Sequence, residues 1–551
     1  MTSAPSEPES PTSASTSTNS PSNVTGLESA VAALSLEEKV GQLFVAGFDG
    51  LTPTGEIEEL VAERNLGGII YFSRNVESPE QVRTLSRTLQ GFVPEELPPL
   101  FVTIDQEGGR VARLSWGTEL PSAMALGAAD DPDLAARAGN AVGRELRSLG
   151  IDIDLAPVLD VNNNPDNPVI GVRSFGERPE HVAELGADFA GGLQDAGVVA
   201  CGKHFPGHGD TAVDSHLDLP VIDHDRERLD AVELLPFRRA IEDGIGAIMT
   251  THVAFPTITK DAERPATLSR KVVTGLLREE LGFDGLVLTD CMEMNAIADS
   301  VGTAEGCVQA VEAGCNQIFV SHTPRKQHAA IDAVIDAVES GRIPQERIDT
   351  AVRRVFHAKG AYDAGYVGDE EEWETAAADC QTVARTVAER GATLVRDDAD
   401  SLPLSEGDRV SVYEFEGGDG TIAEESHDSG GEFASALSDV GMPVDATVLR
   451  DGESPGTGVE TDGLTVVCTS DAASNPEQAD AVHDLVAAGA NPIVVAMRNP
   501  YDLSAMSEVG TYLTTYDDTP TSLAAVADLL VGRGEFTGRL PVTIPGVETE
   551  R

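Results

Sequence analysis

Hydrophobic and polar positions along this chain alternate on two length scales. Short apolar runs at 42–48, 67–72, 100–104, 151–158, 198–201, 247–250, 285–289 and 317–320 are separated by longer stretches such as 132–149 and 181–196, where Ala, Leu, Glu and Arg recur at helical spacing. Runs apolar on both faces predict the strands of a parallel sheet covered by helices. Eight such strand–helix repeats predict a (β/α)8 TIM barrel. The competing α/β architecture is a doubly wound dinucleotide-binding sheet, but no G-x-G-x-x-G follows the first run.

The period fades after 348–358, and the acidic stretch 369–374 reads as a linker. A second alternation follows: a helix over 377–389, strands at 392–395, 410–413, 464–468 and 492–496, and a helix at 523–530. The predicted organisation is a disordered Ser/Thr/Pro-rich tail over 1–26, a barrel over 27–365, a linker over 366–378 and an αβα sandwich over 379–551. The loop 414–432, rich in Gly, Asp and Glu, reads as a plain surface insertion in preference to a mobile flap.

Charge changes this picture. The chain of 551 residues carries 93 acidic against 38 basic residues, a formal net charge of −55. Spread over every segment, that excess predicts adaptation to high salt, where counter-ions relieve self-repulsion. It argues against nucleic acid and anionic membrane surfaces as partners. The six cysteines show no C-x-x-C spacing and predict thiols in a reducing compartment, hence a cytoplasmic protein. No apolar run is long enough to span a bilayer, and residues 1–25 lack the basic and apolar regions of a signal peptide.

Candidate chemistry collects after the apolar runs, at what would be one rim of a barrel. The third run leads into Asp105, Glu107, Arg110 and Arg113, the fourth into Asp160, Asn167 and Arg173, the sixth into Thr250, Thr251 and His252, and the seventh into Asp290. The fifth opens the stretch Lys203-His204-Phe205-Pro206-Gly207-His208-Gly209-Asp210, which continues to Asp214-Ser215-His216. Asp214 can fix the tautomer of His216 and raise its basicity, leaving the other ring nitrogen to exchange protons; alternatively both satisfy loop backbone groups. Asp290 can attack an electrophilic carbon, hold a cation or cap the next helix. Lys203, Arg113 and Arg173 can bind substrate oxygens or neutralise neighbouring carboxylates. His204, His208, Asp210, Asp214 and His216 could ligate zinc or manganese, but no H-x-H follows the first run and no H-E-x-x-H occurs. The chain also lacks the G-x-S-x-G of a serine hydrolase.

The histidine stretch resembles the K-H-F-P-G-H-G-D-T…D-S-H segment of family 3 glycoside hydrolases, in their β-N-acetylglucosaminidase branch. Ile104-Asp105-Gln106-Glu107-Gly108-Gly109-Arg110-Val111, Asn167-Pro168-Val169-Ile170-Gly171-Val172-Arg173-Ser174-Phe175-Gly176 and Thr289-Asp290-Cys291-Met292-Glu293-Met294 are similar to further segments of that family. Gly538-Arg539-Leu540-Pro541-Val542-Thr543 resembles the closing strand of its second domain. The resemblance implies a retaining, cofactor- and metal-independent glycosidase acting on small N-acetylglucosamine-containing carbohydrates. Asp290 would be the nucleophile, His216 the acid/base oriented by Asp214, and Asp105, Arg113, Arg173, Lys203 and His204 the sugar-binding set. An imidazole base, unlike a carboxylate, does not repel phosphate, which leaves phosphorolysis open. A β-glucosidase and a catalytically inert sugar-binding protein are the other readings.

Overall fold

The computed structural model describes residues 21–114, 116, 119–212, 219–405, 407–415, 424, 430–450, 453 and 463–548. Among the described residues the first element is the helix Pro21–Ala33, so the end of the expected tail is helical. Residues 1–20 lie outside the described residues.

Eight parallel strands follow: β1 (Phe44–Ala46), β2 (Gly68–Tyr71), β3 (Phe101–Ile104), β4 (Ile153–Asp154), β5 (Val199–Phe205), β6 (Ala247–Thr250), β7 (Leu286–Thr289) and β8 (Ile318–Val320). They pair in chain order, β8 returns to β1, and a parallel bridge between Leu288 and Gln317 joins β7 to β8. This is the expected TIM barrel. Strand alternation explains why the runs are apolar throughout: Val45 enters the barrel interior with Phe101, Val199 and Leu288, whereas its neighbours Phe44 and Ala46 face the helix layer. In β5 the register with β6 shifts between Gly202 and Phe205, the point at which Lys203 and His204 leave the ladder.

The second domain is a six-stranded sheet built from β9 (Thr393–Asp397), β10 (Val410–Phe415), β11 (Val444–Leu449), β12 (Leu464–Thr469), β13 (Ile493–Ala496) and β14 (Thr511–Thr514), in the order β9-β14-β13-β12-β10-β11. Only the β9–β14 pair is antiparallel. Helices Glu432–Asp439 and Pro520–Leu530 cover one face and Pro476–Ala487 the other, giving the expected αβα arrangement.

Three expectations change. The acidic stretch 369–374 is the first turn of a continuous helix, Glu370–Gly391, capped by Asp369 and Glu372 in a reciprocal capping box. Acidic side chains there complement the partial positive charge of a helix N-terminus, which is why a linker-like composition is ordered. The helix buries Cys380, Val383, Ala384 and Val387 in the core that holds the barrel. Second, residues 538–543 form no strand; they return to the barrel, where Arg539 N donates to Ala128 O at 2.9 Å and Glu177 N to Pro541 O at 3.1 Å. Third, β11 and β14 lie outside the predicted strands. Further ties join the domains beside the barrel mouth: Arg110 to Asp518 at 2.7 Å, Ser122 N to Asp517 at 3.0 Å and Asn162 to the Tyr501 hydroxyl at 3.0 Å.

No disulfide joins any of the six cysteines. Among the described residues no helix is long and apolar enough to cross a membrane.

Glu145 lies on the helix Pro132–Ser148, buried against the bridging helix, and burial pushes its carboxyl up to about 8. Its native pKa exceeds the unfolded one, so the unfolded chain releases this proton first as pH rises. Stability therefore falls from about pH 4.5 to about pH 8 and then levels off. Glu145→Gln should remove this loss, and chemical denaturation should show it gaining about 2–3 kcal/mol over the parent between pH 5 and pH 7. A constant difference across that range would exclude this role for Glu145.

Candidate active site

At the C-terminal ends of the barrel strands lies a cavity of about 410 Å³. Its lining includes Asp105, Arg113, Arg173, Lys203, His204 and Asp290, six of the eight residues singled out from sequence. Asp214 and His216 lie outside the described residues.

The polar wall is assembled from two loops and the end of β5. After β3 the chain makes a tight ribbon, Gln106–Gly108 against Val111–Ala112, turning through Gly108 and Gly109 at φ +96° and +56°. A Cβ at Gly108 would meet the Pro121 carbonyl at 2.6 Å, so the turn requires glycine there. The ribbon places Asp105, Glu107 and Arg113 on the cavity; Gln106 Oε1 locks it by accepting from the backbone N–H groups of Arg113 (2.9 Å) and Leu114 (3.1 Å). Lys203 Nζ, from β5, donates to Asp105 Oδ1 at 2.8 Å and lies 2.6 Å from Glu107 Oε1. Arg173, from the loop after β4, grips Glu107 with two hydrogen bonds of 2.8 Å. Arg113 faces Asp105 Oδ2 at 3.6 Å.

Burial works against every charge here, but the pairing outweighs it. Burial alone would raise the Glu107 pKa, yet Arg173 and Lys203 hold it far below the usual carboxylate range. Burial likewise disfavours the Lys203 ammonium, yet Asp105 and Glu107 raise its pKa above the usual lysine value. Glu107 and Lys203 thus stay ionised across physiological pH, so the wall offers cationic donors and carboxylate acceptors together, as a polyhydroxylated ligand requires.

His204 is oriented from behind. Its Nδ1 lies 2.7 Å from Asp160 Oδ2, and Asp160 also accepts from the backbone N–H of His208 at 2.6 Å. Asp160 is fully buried; despite that, the His204 imidazole and these hydrogen bonds keep its pKa below the usual value. The Asp160 carboxylate favours the His204 tautomer that carries a proton on Nδ1 and fixes the ring's orientation. His208 is kept neutral, its pKa lowered to about 4 by burial and by the adjacent His204.

Asp290 follows β7 directly, and its Oδ1 accepts from the Cys291 backbone N–H at 2.7 Å. His252 does not line the cavity. It supports the loop from outside, with Nδ1 3.0 Å from the Thr267 hydroxyl and Nε2 3.1 Å from the Cys291 carbonyl.

Of the metal-ligand set considered from sequence, the three described members turn to different partners. His204 turns to Asp160, His208 Nδ1 to the Thr211 hydroxyl at 3.0 Å, and Asp210 away to His224 at 2.6 Å.

Sequence reasoning missed three contributions. Glu107 is the shared counter-ion of Lys203 and Arg173; it was visible in the ribbon motif, but its partners were not. Arg74 and His322 line the cavity from strand ends after β2 and β8, and Arg74 lies over the Phe72 ring at 4.3 Å. Glu424 of the second domain also lines the cavity, held by Arg498 at 2.5 Å, which in turn pairs with Asp471. At least this residue of the loop expected to be a surface insertion therefore belongs to the site. A hydrogen bond from ligand to this carboxylate is worth about 1.5–3 kcal/mol. Glu424→Gln should therefore raise KM for a glycoside substrate about tenfold with little change in kcat. Steady-state kinetics showing an unchanged KM would remove Glu424 from the binding set.

The model for the glycosyl hydrolase family 3 N-terminal domain matches residues 35–358. The solved family 3 β-N-acetylglucosaminidase of Paenibacillus sp. FPU-7 superposes with a TM-score of 0.86 at 42% identity, over 93% of this chain and 99% of that one. Beta-hexosaminidase A of Pseudoalteromonas piscicida is 37% identical over 327 residues, 55% of this chain and 55% of that protein, so the chain spans about half the length of that relative. The beta-N-acetylglucosaminidase/beta-glucosidase of Cellulomonas fimi is 28% identical over 547 residues, covering 92% of this chain and 93% of that protein. With its barrel matched almost end to end and both domains shared with a solved member, this chain belongs to glycosyl hydrolase family 3.

Proposed function

We propose that this chain is a retaining, exo-acting β-N-acetylglucosaminidase that removes terminal β-linked N-acetylglucosamine. The observation that carries the reading is the convergence of Asp290 with Asp105, Arg173, Lys203 and His204 on one cavity, in a chain similar over nearly its whole length to the Paenibacillus enzyme. Asp290 attacks the anomeric carbon while His216, oriented by Asp214, protonates the departing glycosidic oxygen. His216 then takes a proton from water, which displaces Asp290, and two inversions give net retention. Asp105, Arg113, Arg173, Lys203 and His204 hold the sugar's hydroxyl and acetamido groups. No step requires a metal or cofactor. The net charge of −55 supports activity in concentrated salt.

A second reading shares every step except the acceptor. Arg74, Arg113 and His322 line the cavity. With an imidazole base they favour phosphate in place of water, releasing a sugar phosphate.

The test compares p-nitrophenyl β-N-acetylglucosaminide with the β-glucoside in molar KCl, with and without phosphate. Preference for the acetamido sugar supports the proposal, and preference for the glucoside makes the chain a β-glucosidase. A phosphate-dependent sugar phosphate identifies a phosphorylase. No turnover of either by folded protein points to a sugar-binding protein.

A further inference from the structure

Beyond the sugar cavity, the histidine loop is tied down at a second polar cluster. Asp210, His224 and Glu233 each offer one donor atom, an imidazole nitrogen and two carboxylate oxygens, all within 4.8 Å of one another. None of the three lines the cavity. Glu233 forms the floor: it is 3% exposed and packs so closely under the loop that a Cβ at Gly207 would meet its own Cβ at 2.9 Å. Its Oε1 accepts from Arg228 at 3.2 and 3.3 Å, whereas Oε2 is buried with no hydrogen-bond partner among the described residues. Leaving a buried carboxylate oxygen unmatched is costly, and a cation is the species that would match it.

We propose that Asp210, His224 and Glu233 form a binding site for a divalent cation of the zinc class. One imidazole nitrogen with two carboxylates suits zinc, cobalt or manganese, whereas magnesium and calcium prefer oxygen-only sets. Arg228, 3.6 Å from Asp210 and 3.2 Å from Glu233, is the resident counter-charge. Its side chain is 38% exposed and can turn to water, leaving two carboxylates to neutralise the dication. Asp210 and His224 stand on either side of the segment that carries Asp214 and His216, so a shared ion clasps both ends of that loop. The effect on turnover rests on the role given above to His216; cation binding itself does not.

The test uses the full chain, stripped with EDTA, in molar potassium nitrate so that chloride does not compete for zinc. Calorimetric titration with zinc nitrate is run on the parent, His224→Gln, Glu233→Gln and Arg228→Gln, with melting temperature and turnover recorded alongside. One zinc per chain is expected in the parent, at least tenfold weaker binding in His224→Gln, and tighter binding in Arg228→Gln as its competing charge is lost. Zinc should raise the melting temperature of the parent but not of His224→Gln, and magnesium should do neither. Absence of stoichiometric binding overturns the site. So does binding unchanged in His224→Gln, which would place zinc on other surface carboxylates. Should Glu233→Gln fail to fold, the partly exposed His224 carries the test alone. An inactive parent that still binds zinc through His224 would sink the functional reading and leave this one standing.

Discussion

Asp290→Ala is expected to lower kcat for an aryl β-N-acetylglucosaminide by about 10⁴-fold, the scale on which removal of a covalent nucleophile acts. Its Oδ1 accepts from the Cys291 N–H at 2.7 Å, a local backbone tie of the same order of strength as a helix-capping contact. If capping were its whole role, the loss would be about 1 kcal/mol, felt in stability with kcat preserved. Kinetics and a melting curve on the same variant therefore separate the two roles. The small cavity left behind also admits azide. In a retaining mechanism azide restores turnover and yields the α-glycosyl azide, since only one inversion then occurs; NMR of the anomeric proton reads this out. Preserved kcat, or an azide product of β configuration, would refute Asp290 as the nucleophile.

Arg173→Met is expected to cost about 3–5 kcal/mol of stability at neutral pH, as removal of one partner from a buried ion pair does. The reason lies in Glu107, buried and shared between Arg173 and Lys203. Without Arg173, Glu107 keeps only Lys203, which it must share with Asp105. In the parent, the depressed Glu107 pKa contributes stability that is present above the unfolded carboxylate value and is lost as pH falls through the native one. The deficit of Arg173→Met should therefore be largest at neutral pH and narrow in acid, as denaturant midpoints at pH 7 and pH 4 would show. Adding Glu107→Gln removes the stranded charge and should recover part of the stability without restoring sugar affinity. A double variant as weak as Arg173→Met would mean that the guanidinium acts by packing alone.

Barrel and site were legible in the sequence to different depths, for physical reasons. Strands buried on both faces announce themselves as apolar runs, which is why all eight barrel strands lie within or overlap the predicted segments. The edge strand β11 exposes Ala446, Thr447 and Val448 and therefore shows no such run. The Glu370–Gly391 helix was hidden by its acidic first turn, although Asp369 and Glu372 at capping-box spacing were an available cue. Residues at or directly after the strand ends, such as Asp105, Lys203 and Asp290, could be assigned to a common rim because topology alone puts them there. The Glu107 contacts and the reach of Glu424 depend on pairings between distant segments, and no local pattern encodes them.

The helix Glu370–Gly391 also bears on how such a protein can be cut. Its interior face belongs to the same core as the barrel, while its far end delivers the chain directly into β9. A shortened gene ending at the acidic stretch would strip this cover from the neighbouring helix Pro132–Ser148 and leave apolar surface open to water. The natural excision point lies after Gly391, so a barrel made to live alone would keep the helix as a permanent brace.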